Sequence, residues 1–288
     1  MRETQDYTAG LREVDSAPRI LQASAMFTYP EIDPVLISIG FLKIRWYGLM
    51  YVIGFVFAWL IARQRAGKPW SVISPEQVDD LIFYSMLGVI LGGRLGYVFF
   101  YGLEYLRDDP LYLFKITEGG MSFHGGLIGV MAAMWLFARK IGVSTWQLWD
   151  FAAPLAPAGL FFGRIGNFIN GELWGKPTDV PWAFKVGDQV LHPSMLYEAI
   201  LEGLVLFAIL WLYSGRERPM FGASGVFLFF YGAFRFAVEF VRVPDSHLGY
   251  LAFGWFTMGM LLSLPMVLAG VVFLVLAYRR QAVSEAAT

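Results

Sequence analysis

Apolar residues run through this chain in seven long stretches separated by shorter polar connections. The stretches are Trp46–Ala62, Asp80–Leu103, Gly119–Ala138, Leu148–Phe168, Met195–Tyr213, Phe221–Val241 and Leu251–Tyr278. Each approaches or exceeds the roughly 17–25 residues that a helix needs to cross a bilayer core. Each therefore predicts a transmembrane helix, the second broken at Gly92-Gly93-Arg94 and the fourth containing Pro154 and Pro157. Phe27–Arg45 mixes Pro, Asp and Glu with short apolar pieces and reads as an interfacial lead-in, and residues 171–193 form the longest polar connection. No internal repeat or low-complexity tract is visible. The expected fold is an all-α polytopic membrane protein with seven transmembrane helices, filling residues 26–288. Residues 1–25 are polar and mixed in charge, without the apolar stretch of a signal peptide. They read as a disordered N-terminal extension, with Met26 as a natural beginning.

Composition agrees with a membrane protein. Of 288 residues, 57% are hydrophobic and only 16% charged, against roughly 25% charged in soluble domains. The absence of cysteine excludes a disulfide, a thiolate metal site or a cysteine nucleophile, so a thiol in the chemistry must come from a substrate. Three histidines, His124, His192 and His247, are few for a metal site, and none is expected. A net charge of −1 gives no reason to expect nucleic acid.

The placement of charge orients the spans. Arg63, Arg65 and Lys68 follow the first, Arg139 and Lys140 the third, Arg216 and Arg218 the fifth, and Arg279 and Arg280 the seventh. Basic connections mark the cytoplasmic side, whereas the alternate connections mix signs. The N-terminus is therefore expected outside and the C-terminus in the cytoplasm.

This orientation gathers the polar motifs toward the outer leaflet. Gly163-Arg-Ile-Gly-Asn-Phe-Ile-Asn-Gly-Glu-Leu-Trp-Gly175 follows an apolar run and offers Arg164, Asn167, Asn170 and Glu172 between glycines. An arginine at the centre of a spanning helix costs roughly 2.5–3.5 kcal/mol on insertion scales, so such groups face a cavity or a partner. Arg94 lies inside the second span. Arg235 and Glu239 are four apart on one face of the sixth, where an ion pair along the helix accounts for their pairing but not for their presence in lipid. Glu198 and Glu202, four apart in the fifth, are read as structural partners of buried arginines. Arginine presents a planar fork suited to phosphate oxygens and stays charged when buried. Several near one leaflet point to a phosphate-bearing ligand, here a phospholipid headgroup. His124, in Ser122-Phe-His-Gly-Gly126, is either structural or a proton acceptor, since imidazole titrates near ~6.5. Tyr47, on sequence physics alone, belongs to an interfacial aromatic belt. The pairs Gly92/Gly96 and Gly125/Gly129 suit close helix packing.

These segments resemble the phosphatidylglycerol–prolipoprotein diacylglyceryl transferases. Besides the 163–175 stretch, the resemblance is carried by Trp46-Tyr-Gly-Leu-Met-Tyr51, Gly92-Gly-Arg-Leu-Gly-Tyr97, Gly119-Gly-Met-Ser-Phe-His-Gly-Gly126, His192-Pro-Ser-Met-Leu-Tyr-Glu198 and Tyr231-Gly-Ala-Phe-Arg-Phe-Ala-Val-Glu239. It runs from about Met26 to Arg280; residues 1–25 fall outside it, and Pro177–Leu191 is shorter than in some members. The resemblance implies seven spans with a small periplasmic head region in the bacterial inner membrane, and a site toward the periplasmic leaflet. It implies transfer of diacylglyceryl from phosphatidylglycerol to the lipobox cysteine of a preprolipoprotein signal peptide, forming a thioether and releasing glycerol phosphate. Tyr47, His124, Arg164, Asn167, Glu172, Arg235 and Glu239 match positions important in that family, as do Gly125 and Gly175.

The chemistry fits the residues. Sulfur attacking a glyceryl carbon expels a phosphate monoester whose growing charge fixed arginines stabilise. A thiol of pKa about 8.5 needs a base or a positive field. His124 is the first candidate, Tyr47 assisting, while Asn167 and Glu172 orient Arg164 or the headgroup. Asn170, Gly125, Gly175, Glu239 and Arg94 complete the expected binding set. No cofactor is expected, since the phospholipid is itself a substrate. The competing expectation is a transporter or flippase for an anionic solute or lipid, which also breaks helices and buries charge.

Overall fold

The computed structural model describes residues 27–40, 42–115, 119–244 and 248–286. The expected extension 1–25 lies outside the described residues. In chain order the elements are strands β1 (Phe27–Thr28), β2 (Val35–Ile39) and β3 (Leu42–Arg45), helices α1 (Trp46–Ala66), α2 (Pro75–Tyr101) and α3 (Leu103–Asp108), a 3-10 turn Pro110–Phe114, and helices α4 (Phe123–Ile141), α5 (Thr145–Ala152) and α6 (Ala156–Ile169). Strands β4 (Phe184–Val186) and β5 (Gln189–Leu191) follow, and then α7 (Ser194–Tyr213), α8 (Gly222–Val238) and α9 (Met258–Ala286). Among the described residues, four helices are long and apolar enough to cross a membrane: α1, α2, α7 and residues Met258–Ala282 of α9. The other expected spans are shorter or less apolar.

The chain folds as two compact units, each assembled from several stretches. The first takes Met1–Gly54, Gly159–Ala208 and Leu228–Val271, and the second Phe55–Ala158, Ile209–Phe227 and Val272–Thr288.

In the first unit the sequence expectation of an all-α fold needs correction. The lead-in and the polar connection form sheet: β1 pairs parallel with β4, which pairs antiparallel with β5, and β2 pairs with β3. Tyr29, just past β1, places its hydroxyl 2.9 and 3.0 Å from the carbonyls of Phe168 and Ile169. It thereby caps the end of α6, where helical carbonyls lack intrahelical donors. Phe27, Tyr29, Phe168, Trp174 and Phe184 pack as one aromatic cluster beneath this sheet. Within α7, Ala199–Val205 winds as a π-helix, a form found mostly as short bulges and frequently at functional sites. Gly203 permits this segment to lie against α6, since a Cβ there would sit 2.7 Å from that of Phe161.

In the second unit α2 is one continuous helix, so the expected break at Gly92-Gly93-Arg94 does not occur. Pro75 opens it, and the Ser74 amide donates to Gln77 at 2.9 Å, a cap that satisfies one terminal donor. Its glycines face α4 rather than break the helix. A Cβ at Gly88 would lie 2.6 Å from the carbonyl oxygen of Gly129, and one at Gly96 2.8 Å from Cα of Gly125. Only glycine allows the two backbones this approach. The expected fourth span does break. It is two helices, α5 and α6, separated at Ala153–Leu155, because Pro154 lacks the amide a continuous helix would use. Pro157 stays inside the first turn of α6, where that amide is not needed.

Candidate active site

The polar cluster of the first unit is built around Glu198, at the C-terminal end of the first turn and a half of α7. Its side chain is 0% exposed. Arg164 of α6 brings Nε to 2.6 Å from Oε2. Arg235 of α8 pairs with Oε1, and Arg242, just beyond α8, reaches the same oxygen at 2.7 Å. Glu239 adds a second carboxylate, 2.5 Å from Arg235 and 3.1 Å from Arg242. Thr257 donates to Glu239 at 2.6 Å. Arg235 lies in the last turn of α8, Glu239 follows the helix directly, and Arg242 is held just beyond it by a bridge to Gly175.

Backbone geometry fixes this arrangement. The Gly175 amide donates to the His192 carbonyl at 2.8 Å and the Lys176 amide to that of Val241 at 2.8 Å, so the 171–193 connection is stitched to the end of α8 beside Arg242. A Cβ at Gly175 would lie 2.8 Å from that of His192, which explains glycine there.

A second arm runs outward from Arg164. Its Nη1 donates to Asn167 Oδ1 at 3.4 Å, Asn167 donates to Glu172 at 3.1 Å, and Asn170 donates to the other Glu172 oxygen at 3.1 Å. Asn167 and Glu172 thus form one hydrogen-bonded chain with Arg164. Tyr47 packs its ring on Gly166, where a Cβ would lie 2.8 Å from Cδ2, and its hydroxyl is 3.2 Å from that of Tyr51. The aromatic belt is therefore not its whole environment: it lies within the unit that holds Arg164. His192 sits behind the cluster with Nδ1 3.0 Å from the Tyr197 hydroxyl, which also accepts from Trp182 at 2.8 Å. Burial lowers the His192 pKa, and nearby Lys176 adds to this while Asp179 opposes it.

The remaining expected site residues belong to the second unit. His124 is exposed in the first turn of α4, its ring edge-on to Phe123. Gly125 serves the α2–α4 crossing. Arg94 is 3% exposed, and its guanidinium donates to the carbonyls of Leu113 (3.1 Å), Gly119 (2.6 Å), Gly120 (3.2 Å) and Tyr112. It also lies 4.6 Å from the Tyr112 ring centre. Four backbone carbonyls accept from its guanidinium, so Arg94 ties down the connection between α2 and α4.

Sequence reasoning treated Glu198 and Glu202 as structural and did not single out Arg242. The signal was available in part: Arg242 follows Glu239 by three residues in the sequence. Glu202 is fully buried, and among the described residues neither of its oxygens has a hydrogen-bond partner. No group of three or more His, Asp or Glu suited to a metal occurs among the described residues.

What the cluster can do chemically follows from its parts. Among the ion-paired groups, three guanidinium forks share two carboxylates in a site largely closed to water. Such groups are preorganised to meet a further anion, and their field is strongest where water is scarce. Comparison with known proteins points the same way. Residues 34–276 match the family described as prolipoprotein diacylglyceryl transferase. The chain is similar to a phosphatidylglycerol–prolipoprotein diacylglyceryl transferase of Solidesulfovibrio magneticus, 59% identical over 250 residues, covering 85% of this chain and 94% of the relative. Proteins of the same name from Oleidesulfovibrio alaskensis and Pseudomonas aeruginosa are 58% and 56% identical, each covering 89% of this chain and 97% and 98% of the relative. The charged cluster and the 171–193 connection beside it fall within the matched residues, and this membrane protein belongs to the prolipoprotein diacylglyceryl transferase family.

Proposed function

We propose that this chain transfers the diacylglyceryl group of phosphatidylglycerol to the lipobox cysteine of preprolipoproteins, the first step of bacterial lipoprotein maturation. The observation that carries the reading is the convergence of Arg164, Arg235 and Arg242 on one buried carboxylate, Glu198. A carboxylate held by several guanidinium forks occupies a field that a phosphodiester also fits.

In this reading the thiol loses its proton, sulfur attacks the glyceryl carbon, a C–S bond forms and the C–O bond to phosphate breaks. Glycerol phosphate leaves and takes up one proton, so the reaction balances without oxidant or reductant. Arg164 and Arg235 stabilise the charge growing on the leaving phosphate. Asn167 and Glu172 hold Arg164 in orientation, with Asn170 behind Glu172, and Glu239 holds Arg235. His124 accepts the thiol proton and Tyr47 assists; Tyr47 and Glu172 are the alternatives for that role. The bond broken in the phospholipid supplies the driving force, so the scheme uses no separate cofactor. The protein sits in the inner membrane with seven spans, the N-terminus and a small head periplasmic, the C-terminus cytoplasmic and the site toward the periplasmic leaflet.

Incubation of the purified protein with phosphatidylglycerol and a lipobox peptide tests this. The peptide should gain the mass of one diacylglyceryl unit, and a Cys→Ser peptide should not. A transporter would leave both peptides unchanged.

A further inference from the structure

The second unit contains a cavity that the transfer reaction does not use. Its volume is about 290 Å³, near the lower end of the roughly 300–1,000 Å³ of small-ligand pockets. It lies between the end of α1 and the α7–α8 connection, and four cations line it: Arg65, Lys68, Arg216 and Arg218. Among the described residues no carboxylate forms an ion pair with any of the four. Of the two acidic residues on the wall, Asp150 is already engaged by the amides of Phe221 (2.6 Å) and Ser224 (2.7 Å). The other, Glu217, is exposed.

Arg65 is set into this wall. Its Nη1 donates to Ser214 at 2.7 Å and its guanidinium lies 5.7 Å from the Phe151 ring centre, but its Nε is buried without an acceptor. Arg218 is held by the Tyr213 carbonyl at 2.6 Å and stacks on the Tyr213 ring at 4.5 Å. Both forks are therefore fixed by neutral groups, and their charge remains uncompensated. Buried donors without acceptors are costly and uncommon in folded proteins. A pocket with two immobilised guanidinium groups and a surplus of positive charge fits an anion with several oxygens, and Arg prefers planar bidentate contacts to phosphate.

We propose that this cavity is a second anion site, which binds the phosphate group of an anionic phospholipid headgroup. Trp70 and Trp211 also line it, and tryptophan favours the headgroup layer of a bilayer.

The test uses the full-length protein in nanodiscs and reads acetylation of Lys68 by peptide mass spectrometry, with Lys140 as an internal control. Lys140 belongs to another basic connection and pairs with Asp80 at 3.7 Å. Phosphatidylglycerol nanodiscs should protect Lys68 but not Lys140, relative to phosphatidylcholine. Adding inorganic phosphate to phosphatidylcholine nanodiscs distinguishes a free-phosphate site, which would protect Lys68 there equally and overturn the lipid assignment. Arg65→Gln should weaken the protection roughly tenfold, the loss of one charge-assisted contact. Arg218→Gln, at an exposed position, should do the same while diacylglyceryl transfer stays at the wild-type rate. Equal shielding of Lys68 and Lys140, or protection that survives both substitutions, would mean diffuse surface charge and would overturn the proposal. Because the readout is labelling and not turnover, its failure leaves the transferase reading untouched.

Discussion

Glu198 is a carboxylate that water does not reach, surrounded by three guanidinium groups. Breaking a buried pair from one side typically costs about 3–5 kcal/mol, because the other charge is left uncompensated. Glu198→Gln should therefore lower the melting temperature in detergent as well as turnover. Arg164→Ala and Arg235→Ala should abolish transfer while the protein still inserts, and Lys at either position should rescue poorly, since an ammonium lacks the fork. Near-normal turnover in either Lys variant would exclude bidentate recognition. His124→Gln should keep lipid binding and lose about 10²–10⁴-fold in rate, the usual contribution of a positioned base. The loss should shrink as pH rises toward the thiol pKa, whereas a pH–rate profile parallel to wild type would move the base to Tyr47 or Glu172. His192 makes a different prediction. Its pKa is lowered in the fold by burial, so below about 6.5 the unfolded chain binds the proton first and acid favours unfolding. Thermal stability should fall as pH drops from 7 to 5, and His192→Asn should flatten that slope.

At the scale of elements, the α2–α4 crossing depends on glycine carbonyls and Cα atoms in contact, as Gly88 against Gly129 shows. Gly88→Leu should force the helices apart and cost roughly 1–3 kcal/mol, the usual range for overpacking. Gly159→Ala, in α6 with open space around it, should be tolerated and even favoured by about 0.5–1 kcal/mol from helix propensity. Denaturation curves of the two variants check the contrast. This crossing shows what was legible in the sequence. The spacing of Gly92/Gly96 and Gly125/Gly129 predicted close packing, and the apolar runs located the long helices of the described residues. The expected break at Gly92-Gly93-Arg94 was wrong because a glycine costs a helix only about 1 kcal/mol, which packing overrides. Pro154 did break its helix, since it removes a hydrogen bond outright. The hairpins β2–β3 and β4–β5 are local but only three to five residues per strand, inside stretches read as an interfacial lead-in and a polar connection, whereas β1, two residues long, pairs across more than a hundred positions, from Phe27 to Phe184. No local period carries such a signal. Around the charged cluster, Arg164 and Arg235 were readable as charge inside apolar helices, and Asn167, Glu172 and Glu239 as polar groups within or just past them. Arg94 read the same way, and only its four carbonyl partners show that it anchors a connection.

At the scale of the whole chain, charge bias predicts the orientation. Arg63, Arg65 and Lys68 after the first span, and Arg279 and Arg280 after the last, lie on connections of one sign class. Short basic connections are retained in the cytoplasm because lysine and arginine resist translocation, and acidic residues count for little in the rule. Reporter fusions at Gly67 and Arg280 should both read as cytoplasmic. A fusion at Gly187 should read as periplasmic: it occupies the exposed β4–β5 turn, with φ +58 and nothing within 4 Å of a Cβ, so an insertion there meets no packed neighbour. This third site makes the experiment discriminating. Seven spans with the N-terminus outside require Gly67 and Arg280 on one side and Gly187 on the other. If Gly187 reported with Gly67, the number of crossings between them would be even. The split of the fourth stretch at Pro154 would then mark a re-entrant segment, and the periplasmic placement of the arginine cluster would fall with it. If all three report as expected, α5 and α6 together carry one crossing, and the head connection that positions Arg242 faces the periplasm.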